Sequence, residues 1–87
     1  MEINDVIELL REFREIEFDY RNQSYLISAF GVKPFFKKAR IEYWFFPSEE
    51  TGQEAQKFDK IEDIFNVEIQ GKALREILNE IEITEIY

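Results

Sequence analysis

The sequence predicts a small α+β domain: an N-terminal helix, a three-stranded antiparallel meander, and two C-terminal helices packed on one face of the sheet. A short terminal strand is an optional addition. Two observations lead to this class. Apolar residues recur at helical spacing before residue 14 and after residue 58, and between residues 15 and 46 they fall in strand-like runs, of which EIEFDYR alternates strictly. The three Gly and two Pro largely fall between these patterned segments.

Ile3, Val6, Ile7, Leu10 and Phe13 follow the 3 to 4 spacing of one helical face, with Leu9 widening the stripe and Asn4 or Asp5 as the expected N-cap. At Glu15 the period changes. In EIEFDYR, Ile16, Phe18 and Tyr20 point one way and Glu15, Glu17, Asp19 and Arg21 the other, the spelling of a half-buried strand. A tight loop at Asn22-Gln23 would then pair Tyr20 with Tyr25, Phe18 with Ile27 and Ile16 with Ala29. Gly31 and Pro34 interrupt the alternation and mark a connection. A third strand follows from Ala39 to Phe46. Its uniform parity, Ala39, Ile41, Tyr43 and Phe45, is the expected core face, which leaves Arg40, Glu42, Trp44 and Phe46 outside.

Pro47 stops this strand, and SEETGQEAQK reads as a polar loop turning at Thr51-Gly52. Asp59 with Glu62 three residues later spells a capping box for a short helix bearing Ile61, Ile64 and Phe65, closed over by Phe58 and ended by Asn66. Val67 and Ile69 bridge to GKALREILNEI, whose Leu74, Ile77, Leu78 and Ile81 make a second helical stripe. The tail IEITEIY alternates again.

The 87 residues make one domain, 1–87, without repeats or a dividing linker. A chain of this size buries only about 60 to 65 % of its unfolded surface, so modest stability is expected. A composition 45 % hydrophobic and 16 % aromatic is nonetheless ample for one core. No stretch approaches the roughly 20 apolar residues of a membrane span, and the N-terminus has acids where a secretory signal carries bases, so a cytoplasmic protein with no membrane partner is expected.

The chain has no Cys and no His, which removes thiolate nucleophiles, imidazole acid-base chemistry and the usual zinc sites. Ser24, Ser28 and Ser48 have no His to activate them, and Gly71-Lys72 lacks the preceding glycines of a phosphate loop. Glu15, Glu17 and Asp19 stand over about 6 Å apart along one strand face, a poor cradle for a cation. Glu62 with Asp63, or Glu76 with Glu80, are better read as solvated helix faces. No catalytic residue, cofactor or metal is expected, and the protein is read as a non-enzyme.

Formal charge is −8 and unevenly spread. Residues 1–30 carry seven acids and three bases, residues 31–48 one acid and four bases, and residues 49–87 eleven acids and four bases. An acidic field argues against nucleic acid as a partner. The order helix, three strands, helix resembles the double-stranded-RNA-binding domain, but the last helix of that family opens on a lysine cluster. Here the matching segment holds only Lys72 and Arg75, beside Glu76 and Glu80. The phrases EIEFDYRNQSYLI and FDKIEDIFNVEIQGKALREI resemble those of small uncharacterised proteins of Gram-positive bacteria; that resemblance implies no catalytic or binding residues.

Two candidate surfaces remain. Leu26, Phe30, Trp44 and Phe46 share the outer sheet face with charged neighbours, a composition suited to recognition unless residues 47–58 or 81–87 fold over it. Lys33, Lys37, Lys38 and Arg40 form a basic patch around Phe35 and Phe36, suited to an acidic protein, a nucleic-acid strand or a phosphate. The more economical expectation is that the two phenylalanines close one end of the core while the lysines pair with nearby acids. The functional expectation is a non-catalytic protein-interaction module, of which a homodimer is one form. An acidic adaptor or inhibitor of a basic protein is the alternative, and a nucleic-acid-binding domain of helix-sheet-helix type a weaker one.

Overall fold

The computed structural model describes residues 1–87. Helix α1 spans Ile3–Arg11, followed by strands β1 (Ile16–Tyr20), β2 (Gln23–Val32), β3 (Arg40–Pro47) and β4 (Gln56–Phe58). Helix α2 is Ile61–Ile64, β5 and β6 are Glu68–Ile69 and Lys72–Ala73, α3 is Leu74–Ile77, and β7 is Glu82–Ile86. The α+β class stands, with an enlarged sheet. The meander β1–β2–β3 gains β4 on one side and the terminal strand β7 on the other, in the antiparallel order β4-β3-β2-β1-β7.

The hairpin register differs from expectation by two residues. Arg21 and Asn22, both with positive φ (45° and 69°), form the turn, so that Tyr20 faces Gln23, Phe18 faces Tyr25 and Ile16 faces Ile27. Two consecutive positive φ values are the backbone of a type I′ turn, whose twist matches that of the flanking strands. A shift of two preserves parity, and the inward set Ile16, Phe18, Tyr20, Tyr25, Ile27 and Ala29 is buried as expected.

These residues and Phe45 form the sheet side of the core; Val6 and Leu10 of α1 and the C-terminal segment supply the other side. Phe18, Tyr25 and Phe45 stack in series across three strands, with centroids 5.4 and 5.7 Å apart. Ile3 and Phe13 lie off the core, 38 % and 51 % exposed, because the helix starts at Ile3 and ends before Phe13, which adopts a left-handed φ of 59°. The N-cap is Glu2, whose N–H donates to the Asp5 carboxylate at 3.1 Å, so Asp5 works from the third helical position and not as the cap.

The C-terminal third is less helical than its apolar stripe suggests. Asp59 does not cap α2, whose N-cap is Lys60, and Phe58 is spent on β4 opposite Tyr43. Gln70 and Gly71, with φ of 51° and 87°, turn the β5–β6 hairpin, and Gly71 therefore serves a strand-to-strand turn. The Gln70 side-chain amide ties this hairpin to the sheet by donating to the Tyr20 carbonyl and the Tyr25 hydroxyl, at 3.0 and 3.1 Å. Leu74, Ile77 and Leu78 are buried as the stripe predicts, but α3 is a single turn. The long closing helix of the double-stranded-RNA-binding arrangement is absent.

Candidate interaction surfaces

The β2–β3 register places Leu26 opposite Phe46, Ser28 opposite Trp44 and Phe30 opposite Glu42, all on the face away from the core. Gln56–Phe58 and Glu82–Ile86 join the sheet edges as β4 and β7 and so extend this face without covering it, while Pro47 and Ser48 border Leu26 and Phe46. Leu26, Trp44 and Phe46 are half-buried, and Phe30 is 40 % exposed. Trp44 and Phe46 stack with centroids 5.5 Å apart and planes 5° from parallel. Ser28, opposite Trp44, is 1 % exposed, and no protein group bonds its hydroxyl.

Beside this strip lies Glu42, the one buried carboxylate. It accepts from the Arg40 guanidinium at 3.0 Å and the Trp44 indole Nε1–H at 3.3 Å, and the Lys57 ammonium lies 3.5 Å away. Burial pushes its pKa up, but the hydrogen bonds from Arg40 and Trp44 and the two nearby positive charges outweigh it and hold the carboxyl below its ordinary value. Glu42 thereby fixes the indole from one side while Phe46 covers it from the other.

The opposite flank is acidic. Glu17 faces Glu85 and Asp19 faces Glu82 across β1 and β7, and Glu15 continues the row. None of the five is within salt-bridge distance of a base, for the only ion pairs in the molecule are those of Glu42. Glu17 accepts from Thr84 at 2.9 Å and the Tyr87 hydroxyl at 3.4 Å, and Asp19 accepts from Ser24 at 2.7 Å. The charge of Glu17, then burial and Glu85, push the Tyr87 phenol above its ordinary pKa. This flank was only half legible in the sequence, because the register that brings β7 against β1 depends on a bulge between Glu17 and Phe18.

The basic patch is split. Arg40 belongs to the Glu42 cluster, whereas Lys33, Lys37 and Lys38 stand in the β2–β3 connection without an ion-pair partner. Phe35 and Phe36 do not close the core: they are 88 % and 99 % exposed, packed edge to face on each other with centroids 5.2 Å apart. The connection lies past the last β2–β3 pair, Val32–Arg40, and at these exposures no core surface covers the rings.

No three Asp or Glu side chains converge in a way that would hold a metal ion. An open cleft of about 780 Å³ lies between β4 and the β5–β6 hairpin. Two of its amides are engaged structurally, Gln53 donating to the Glu68 carbonyl at 2.8 Å and Gln70 as described. No helix is long and apolar enough to cross a membrane. Comparison with protein-family models, with curated protein sequences and with solved structures returned no match.

Proposed function

We propose that this protein is a cytoplasmic, non-catalytic protein-interaction module that presents the helix-free face of its sheet to the basic surface of another protein. The observation that carries this reading is the directly opposed pairs Glu17–Glu85 and Asp19–Glu82 beside a half-buried aromatic strip. Like charges directly opposite each other in a sheet are destabilising, and here no base relieves them. A partner with cations around an apolar centre would neutralise that row and cover Leu26, Trp44 and Phe46, the arrangement of an aromatic anchor within a polar rim. The acidic-adaptor alternative thus becomes a description of the same surface.

A second copy is a poorer occupant of this face. Two copies face to face would bring together five unpaired carboxylates from each, while Arg40 and Lys57 are already paired with Glu42. The sheet edges are also poor templates for strand addition, since β4 has three residues and β7 carries Glu82, Glu85 and a bulge.

The test has two parts. Sedimentation of the purified chain should give a monomer across micromolar concentrations. A protein captured from the native host should then bind the purified chain with an affinity that falls as salt rises. A dimer that Trp44→Ala dissolves would assign the face to a second copy, and salt-insensitive binding would remove the acidic row from the interface.

A further inference from the structure

The hairpin joining β2 to β3 outruns the rest of the sheet. β1 accompanies β2 only to Ile27 and β4 accompanies β3 only from Tyr43 to Phe45, but the β2–β3 ladder continues to Val32 opposite Arg40. The result is a two-stranded arm with residues 33–39 at its apex. No carboxylate occurs between Asp19 and Glu42, so in a chain that has 19 acids the arm carries only Glu42, at its base and paired with Arg40 and Lys57. At about 3.3 Å per residue its apex lies roughly 15 Å beyond Ala29, farther than the Debye length of about 8 Å at physiological salt. The apex is therefore a cationic end set apart from the acidic row of β1 and β7.

Its chemistry is narrow. Residues 33–39 offer aromatic rings, ammonium groups, Pro34 and Ala39, with no Ser, Thr, Asn, Gln or Arg side chain for directional recognition. The Lys37 N–H closes a turn on the Pro34 carbonyl at 3.4 Å, and Phe36 within it holds a φ of 66°. That left-handed backbone is costly for a bulky residue, and here it holds Phe36 out at 99 % exposure. Behind the rings, Phe13 and Ile41, 51 % and 38 % exposed, line an apolar cleft of about 370 Å³ with Val32 and Ala39. Apolar exposure thus gathers at this end of the molecule.

We infer that residues 33–39 dock on the surface of a bilayer containing anionic lipid, with Phe35 and Phe36 entering the acyl boundary and Lys33, Lys37 and Lys38 meeting the headgroups. A convex tip of rings and ammonium groups suits a soft, planar, negatively charged surface, which needs neither a shaped socket nor directional hydrogen bonds. A nucleic-acid strand is favoured less, since it needs a positive groove to follow and the sheet face beyond the arm is acidic. The absence of a spanning helix bears on crossing a membrane, not on resting against one. Docking by the apex leaves the helix-free sheet face open to its protein partner.

Flotation tests this with the intact chain, using mixed phosphatidylcholine–phosphatidylglycerol vesicles against pure phosphatidylcholine. The chain should float with the mixed vesicles only. Phe35→Ala with Phe36→Ala should lower partitioning about tenfold or more, and Lys33→Glu, Lys37→Glu and Lys38→Glu together should abolish it. Both variants should keep the wild-type melting temperature, because these side chains support no core. Flotation with neither vesicle, equal flotation with both, or full retention by the double alanine variant would overturn the inference. Apex-dependent binding to oligothymidylate or polyglutamate without flotation would overturn it in favour of a nucleic-acid or acidic-polypeptide site.

Discussion

Glu17 and Glu85 stand directly opposite each other across β1 and β7, and the Tyr87 hydroxyl donates to the Glu17 carboxylate at 3.4 Å. The last strand is thus held to the sheet by its ladder and by two hydroxyl contacts, against repulsion between carboxylates.

Removing that repulsion should stabilise the fold. Glu85→Lys converts an opposed like pair into an attractive one and should raise unfolding stability by roughly 0.5 kcal/mol in low-salt urea titrations. Added salt should shrink the gain, since the pair is exposed. The same substitution should weaken binding of a basic partner.

Tyr87 adds a pH dependence at the alkaline end. Its phenol is raised above the ordinary 10.0, chiefly by Glu17, so its stabilising contribution is complete below that value and is lost as pH rises through the higher native one. Amide exchange in β7 should accelerate over that window, and Tyr87→Phe should remove that phenol-linked acceleration.

Glu42 behaves in the opposite sense at the acid end. Its native pKa lies below the ordinary 4.5, so the stability it confers through Arg40, Trp44 and Lys57 is present above that value and disappears as pH falls through the lower native one. The wild type should be more stable than Glu42→Gln at neutral pH, and the two curves should converge in acid. A constant difference across that range would assign the effect to packing.

The two classes of phenylalanine should separate cleanly. Phe45→Ala, at a fully buried position between Tyr25 and the helical layer, should cost about 3 to 5 kcal/mol. Phe36→Gly should stabilise by about 1 kcal/mol, since glycine accepts the positive φ and only the exposed contact with Phe35 is lost. Chemical denaturation of both variants checks the contrast.

Much of this fold is legible in the residues, because one face of each central strand must be apolar. Parity alone identifies Phe18, Tyr25, Ile27 and Phe45 as inward and Trp44 and Phe46 as outward. It does not fix the register, which depends on whether Arg21-Asn22 or Asn22-Gln23 makes the turn, and Arg is an unusual residue for a positive φ. β4 is hidden for a different reason: Gln56-Lys57-Phe58 is too short to show a period, and it becomes a strand only through the template of β3. The apex shows the limit of composition. Two adjacent phenylalanines read as core until the strand lengths show that no core extends beneath them.

The most direct measurement is calorimetric titration of the captured partner with wild-type chain and with Trp44→Ala, Phe46→Ala. The double variant should fold with only a modest loss of stability and bind at least about 30-fold more weakly, as expected for removing a central aromatic anchor. Unchanged affinity in a folded double variant would contradict the assignment of the helix-free sheet face as the recognition surface.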